Sequence, residues 1–170
     1  MLRDAKEQIS GFSIEKNGLA PKIEVAFEGD GDVVGFPAYV HFVVLEVLKN
    51  CVVALSRRYG VFYLDSCPPI RILLSVGEQN TVIRISDEAG GMSYKKVKEI
   101  SNYFVSSTET EITYGYSGNF GAPLAGFGLG IPVSRLYMKM LFNGDLEICS
   151  MQGFGTDVYL TIDNFGHGLL

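Results

Sequence analysis

The chain has 170 residues, 14 Lys+Arg against 19 Asp+Glu and a formal charge of −5 at pH 7. That length holds one domain with a sizeable core, and the acidic balance excludes broad electrostatic binding to nucleic acid. Hydrophobic residues make up 47% of the chain, which implies apolar surface that meets another domain or subunit.

No uninterrupted apolar run reaches the ~18 residues of a membrane span; the longest candidate, Phe42 to Leu55, is broken by Glu46, Lys49 and Asn50. Cys51, Cys67 and Cys149 form no Cys-x-x-Cys pair. This argues against a disulfide framework or zinc site and for a reducing compartment. Two histidines, His41 and His167, leave little for a histidine-based metal site. The N-terminus carries neither a signal-peptide nor a transit-peptide pattern.

In chain order, Leu2 to Ile9 reads as a short helix and Lys22 to Glu28 as a strand turned by Gly29-Asp30-Gly31. Ala38 to Arg58 is a helix, because Val40, Val44, Val47, Leu48, Cys51 and Leu55 form one apolar stripe at helical spacing. A loop from Gly60 to Pro69 leads to strands Ile70 to Val76 and Thr81 to Ser86, joined by a polar turn. Tyr94 to Phe104 reads as a helix. Ser106 to Ala122 is rich in Ser, Thr, Gly and Tyr without a sustained period, the texture of a lid or binding loop. A glycine-spaced loop, Pro123 to Ile131, precedes helix Val133 to Phe142 and strands Asp145 to Ser150 and Thr156 to Ile162. The order of elements predicts one mixed sheet covered by helices, an α/β sandwich.

Several residues along this frame can carry chemistry. Gly126, Gly128 and Gly130 free the backbone for φ > 0 and close approach to a ligand, and Pro132 fits the first turn of the helix that follows. Free amides at a helix start favour phosphate. Neither the P-loop nor the dinucleotide fingerprint is matched, so a glycine-rich turn before a core helix stands beside the phosphate reading. Glu46 and Asn50, four residues apart, share a helix face turned away from the apolar stripe. They are either two solvated polar residues or a general base beside an oxygen ligand for Mg²⁺. Arg57 lies farther along that face, and His41 lies round the helix from Glu46, a surface histidine. Asp87 ends a strand before Gly90-Gly91. It is either a turn residue or an acceptor for an exocyclic amine such as that of adenine. Gly155-Thr156 starts a strand.

Taken in order, Glu-x-x-x-Asn, Asp before Gly-Gly, a polar lid closing on Gly-x-Gly-x-Gly, and a late Gly-Thr form the pattern of the GHKL ATP-binding fold of DNA gyrase, MutL and sensor histidine kinases. Within that group, Pro123 to Tyr137, Gly144-Asp-Leu and Ser150 to Asp157 closely resemble the mitochondrial pyruvate dehydrogenase kinases, and the resemblance runs from Phe36 to Ile162. It implies a GHKL α/β sandwich with a mainly antiparallel mixed sheet, helices on one face and a long ATP lid. Residues 1–170 then form a single kinase domain, without the family's N-terminal helical domain. It implies ATP and Mg²⁺, with Glu46 as the base that activates a substrate serine and Asn50 as the metal ligand. Asp87 reads the adenine amine, Gly91 admits the base and Thr156 supports its recognition. Ser106 and Ser107 open the lid, and Gly126, Phe127, Gly128, Leu129, Gly130 and Ile131 wrap the phosphates.

The implied partners are the serine-bearing subunit of a 2-oxo acid dehydrogenase, a lipoyl domain of the complex core through the missing N-terminal domain, and a second copy of this chain. Nucleic acid and a membrane span are not implied, and the implied compartment is the mitochondrial matrix. The glycine loop favours pyruvate dehydrogenase as substrate, while Ile83 to Asp87 and Gly155 to Leu160 also resemble the branched-chain kinase. Three departures stand out. Ala89 replaces the first glycine of the family's Asp-x-Gly-x-Gly turn, Glu88 replaces a common arginine, and Val53 replaces an arginine one turn after Asn50. These motivate a second reading, a nucleotide-binding regulatory module without kinase activity. A GHKL ATPase with no protein acceptor is a third.

Overall fold

The computed structural model describes residues 1–30, 36–100 and 129–165. The expectations placed on Gly31, on positions 101–104 of the helix begun at Tyr94, on the lid with Ser106 and Ser107, on Gly126, Phe127 and Gly128, and on His167 lie outside them.

The central element is helix α2, Pro37–Tyr59, opened by Pro37 in its first turn and ended at Gly60, whose φ of 87° leaves the helical region. Its buried residues are Val40, Val43, Val44, Val47, Leu48, Cys51, Val52 and Leu55. Five of these eight are valines, which are modest helix formers because χ1 is stiff. Burial contributes about 1.5–3 kcal/mol per large side chain, far above a propensity cost of a few tenths. By length and composition α2 passes the test for a membrane span; in this fold its apolar stripe belongs to the hydrophobic core.

Helix α1, Leu2–Asn17, runs well past the expected Ile9. Apolar periodicity fades there, but the packing stripe continues as Ala5, Ile9 and buried Ser13. The Ser13 hydroxyl donates to the Leu19 carbonyl at 2.7 Å. Gly18, left-handed at φ 80°, closes the helix by donating its N–H to Ile14.

Strands β1 (Ile23–Glu28), β2 (Ile70–Val76), β3 (Asn80–Asp87), β4 (Asp145–Met151) and β5 (Gly155–Asp163) form one sheet in the order β1-β2-β3-β5-β4. β1 and β2 are parallel, with Ile23 opposite Ile70 and α2 as their crossover; the other three pairings are antiparallel. Ile70, Ile72, Ile83, Ile85, Leu146, Val158, Leu160 and Ile162 are buried on the face toward the helices. The opposite face carries Arg71, Leu73, Arg84, Tyr159 and Glu147, half-buried or exposed. This is the expected α/β sandwich: a mixed, mainly antiparallel sheet with its core on one side. A short helix α3, Tyr94–Ile100, sits near β4.

Helix α4, Gly130–Phe142, lies on the same layer as α2. Edge-on ring contacts pair Phe42 with Tyr137 at 5.6 Å, Tyr39 with Tyr137 at 5.1 Å and Phe36 with Phe142 at 6.4 Å. These pairs descend α2 as they ascend α4, so the two helices are antiparallel. The start of α4 therefore reaches the middle of α2, where Glu46 is.

Ser134 lies on the α4 stripe with Met138 and Phe142, fully buried, and its hydroxyl finds no hydrogen-bond partner among the described residues. A buried hydroxyl left unpaired is destabilising. Ser134→Ala is expected to raise stability by about 1 kcal/mol, read as a higher urea midpoint at unchanged m.

Candidate functional site

At one end of the site, Asp87 closes β3 and is only 8% exposed. Register places it opposite Thr156, which in turn faces Ser150 on β4. The Ala89 N–H donates to Asp87 Oδ1 at 3.0 Å, and the Cys51 thiol and the Thr156 N–H lie on the carboxylate's side and favour its ionised form. Burial raises the Asp87 pKa above the ordinary carboxylate value, and these donors offset part of that rise. Burial, and after it the Asp87 carboxylate, pushes the Cys51 thiol well up, so it stays a neutral thiol beside Asp87. Cys51 reads in the sequence only as part of the apolar stripe. Its position directly after Asn50 is the sole hint of a polar role.

The Asp87 turn is held by main-chain contacts together with the Ser150 side chain. Gly90 and Gly91 take φ of 87° and 61°. A Cβ on Gly91 would run into the Met151 carbonyl and approach the Gly155 carbonyl to 2.7 Å. Gly90 donates its N–H to the Phe154 carbonyl at 3.1 Å and accepts from the Gly153 N–H at 2.7 Å. Met92 donates its N–H to Ser150 Oγ at 2.8 Å, and Ser150 Oγ lies 2.9 Å from Thr156 Oγ1. Gly155 is a glycine for the same reason as Gly91: a Cβ there would strike the Asp87 carbonyl. Ser150 thus joins the Asp87 turn to the β4–β5 hairpin. It escapes sequence reading because its partners are remote in the chain.

The three departures have structural answers. Ala89 is not in the positive-φ region; the left-handed positions are the two glycines that follow. Its methyl is partly buried against the core, so an alanine there carries no backbone strain. The Glu88 carboxylate is paired with Arg71 at 2.7 Å, both half-exposed, and its carbonyl accepts from the Tyr59 hydroxyl at 3.0 Å. Val53 is half-buried on α2. Beside the turn, the Arg58 side chain lies against Gly90, 3.5 Å from where a Cβ would be, and Arg57 is exposed.

At the other end, Glu46 and Asn50 sit one turn apart on α2, Glu46 with 13% side-chain exposure and Asn50 open to solvent. Lys49 Nζ holds Glu46 Oε1 at 2.6 Å. Oε2 points at the first residue of α4, 2.5 Å from the place of a Cβ on Gly130. Helix α4 has Leu129 at its N-cap without a side-chain cap and no acidic residue in its first turn. Glu46 thus brings a carboxylate from α2 to a helix start, where the helix dipole favours negative charge. Gly130 does not take the positive φ expected from the glycine spacing; it is already helical, with Ile131 next and Pro132 following within the first turn. His41 Nε2 meets Gln8 Oε1 of α1 at 3.0 Å, away from Glu46. The structure thus gathers Asp87, Gly91, Thr156, Cys51 and Ser150 into one cluster and Glu46, Lys49 and Gly130 into another. Asn50 links the two along α2.

Residues 36–165 match the family of histidine kinase-, DNA gyrase B- and HSP90-like ATPases. The chain is 34% identical over 148 residues to the mitochondrial pyruvate dehydrogenase (acetyl-transferring) kinase of Schizosaccharomyces pombe, covering 85% of this chain and 34% of that protein. It is 33% identical over 171 residues to the Arabidopsis thaliana protein of the same name, covering 96% of this chain and 45% of the relative. With the Drosophila melanogaster kinase it shares 31% identity over 94% of this chain and 40% of the relative. The chain therefore spans between a third and a half of the length of these relatives.

The turn geometry separates two neighbouring positions. Gly91→Ala is expected to cost about 2–3 kcal/mol, from left-handed strain and the carbonyl it would strike. Ala89→Gly is expected to leave nucleotide affinity unchanged. Chemical denaturation and calorimetric titration of ADP check the pair.

Proposed function

The chain belongs to the histidine kinase-, DNA gyrase B- and HSP90-like ATPase family, and from that premise we propose that it is the ATP-binding domain of a protein-serine kinase acting on pyruvate dehydrogenase. The observation that carries this reading is the Glu46 carboxylate. It is anchored by Lys49 and set against the start of α4, one turn from Asn50. A carboxylate at that place is suited to take a proton, not merely to hold a metal.

In the proposed reaction Glu46 accepts the serine hydroxyl proton as the serine oxygen bonds to the γ-phosphorus. The bond between that phosphorus and its bridging oxygen breaks, and ADP leaves with the bridging electron pair. Asp87 accepts from the adenine amine, Gly91 lets the base approach, and Thr156 with Ser150 supports it. Leu129 and Ile131 serve the phosphates, and the family resemblance assigns Gly126, Phe127 and Gly128 the same role and Ser106 and Ser107 the opening of the lid. Most of the rate advantage in such chemistry comes from positioning and charge neutralisation.

Among the described residues no group of three or more His, Cys, Asp or Glu is arranged to hold a metal by itself. Asn50 offers one neutral oxygen, which fits an Mg²⁺ whose remaining ligands are phosphate oxygens and water. Bound there, the ion would neutralise charge on the phosphates. The pyruvate dehydrogenase kinases are named as mitochondrial, and we extend the compartment, the matrix, to this chain. The same reading supplies the partners: the dehydrogenase subunit that bears the serine, a lipoyl domain contacted by other parts of such kinases, and a second copy meeting the half-exposed sheet face.

Calorimetry with ADP and ATP tests the site. Asp87→Ala is expected to weaken binding about 10–100-fold, the loss of a hydrogen bond to a charged acceptor. Asn50→Ala should remove the Mg²⁺ dependence of binding. Glu46→Gln should abolish phosphorylation of purified pyruvate dehydrogenase while ADP still binds. Tight ATP binding with no labelling of either the pyruvate or the branched-chain enzyme would leave the regulatory-module reading in its place. A pH series adds a signature. Since burial raises the Asp87 pKa, this carboxylate takes up its proton at a higher pH than an exposed aspartate. Affinity needs the ionised acceptor, so it should fall as pH drops through that raised value, and the Asp87→Ala protein should lack this fall.

A further inference from the structure

The reason position 130 is a glycine is not in its own backbone. Gly130 is the first residue of α4 and is not at positive φ, so an L-residue meets no conformational penalty there, and alanine is the stronger helix former. What excludes a side chain is Glu46. A Cβ at position 130 would lie 2.5 Å from Oε2, 3.4 Å from Cδ and 3.7 Å from Cγ of that residue. Making room for a side chain would pull the carboxylate from its place, where Lys49 holds the other oxygen at 2.6 Å.

We infer that Gly130 is a positioning residue for Glu46: the bare Cα at the start of α4 is the seat of the carboxylate, and with Lys49 it fixes where the base stands. This rests on the reading of Glu46 as the base. It differs from the phosphate-wrapping role implied by the glycine spacing, which would place the effect of a side chain on nucleotide affinity. Other glycines of the fold provide the contrast. A Cβ on Gly144 would strike the Thr161 carbonyl and one on Gly155 the Asp87 carbonyl, so backbone must move there. At Gly130 the obstacle is the end of a flexible side chain, which yields while the fold stands.

The test is Gly130→Ala in the full chain, followed by melting, ADP titration and steady-state phosphorylation of pyruvate dehydrogenase. The expected result is a near-unchanged melting temperature, an ADP Kd within about threefold, and kcat reduced about 10–100-fold, as for a reacting group displaced by roughly 1 Å. In a Glu46→Gln background the same substitution should cause no further loss. Unchanged kcat, or a loss confined to nucleotide affinity, overturns the inference. If Gly130→Ala does not fold, the Glu46→Ala/Gly130→Ala protein lacks the colliding atoms and must fold; its failure to do so overturns the inference as well. Full activity in Glu46→Gln alone would remove the base reading and this inference with it. Loss of activity in Glu46→Gln beside wild-type kcat in Gly130→Ala removes only the inference.

Discussion

Helix α2 can sit on the sheet in only one rotation, and both ends of the site follow from it. Turning it by one residue, about 100°, would lift several of its eight buried side chains into water and drive Glu46 or Asn50 toward Ile83 and Ile85. Each large apolar side chain exposed costs about 1.5–3 kcal/mol, and a buried unpaired carboxylate costs more. The stripe therefore sets the direction of the polar residues beside it. Cys51, part of that stripe, lies beside Asp87, while Glu46, five residues earlier, meets α4. Aromatic contacts from Phe36, Tyr39 and Phe42 then hold α4 antiparallel along the same helix.

The two ends of the site are built from different materials. Around Asp87, main-chain groups meet main-chain groups: Gly90 with Phe154 and Gly153, Gly91 against Met151, Gly155 against Asp87. Such contacts have few soft degrees of freedom and keep the Asp87 carboxylate in one place. At Glu46 the contacts are made by long side chains, Glu46 to Lys49 and Glu46 to Gly130. Rotation about side-chain bonds is possible there without disturbing the sheet.

Much of this was legible in the sequence, and the misses share a cause. The α2 stripe, the five strands and the Glu46–Asn50 face all leave a local period, 3.6 or 2 residues, and are read with errors of a residue or two at the ends. Helix α1 was cut short at Ile9, because its later turns pack through Ser13, which carries no apolar signal. The Ser150 bonds and the nearness of Cys51 to Asp87 join pieces of chain far apart in sequence, so no spacing announces them. Ala89 looked like a defect only while the left-handed positions of the turn were unknown; they fall on Gly90 and Gly91. Gly130 is the reverse case. The glycine was noticed, but its cause is a carboxylate on another helix and not its own φ.

The pairing of Asp87 with Thr156 closes a loop of about seventy residues whose entropic cost grows only as the logarithm of its length. Doubling the chain between them adds about 0.6 kcal/mol, less than one buried methylene group of the core. The Asp87–Thr156 pairing is thus little affected by length changes in the connection between α3 and α4, so long as α4 and β4 keep their places. Evolution can lengthen or shorten the connection between α3 and α4 while Asp87 and Thr156 keep their register.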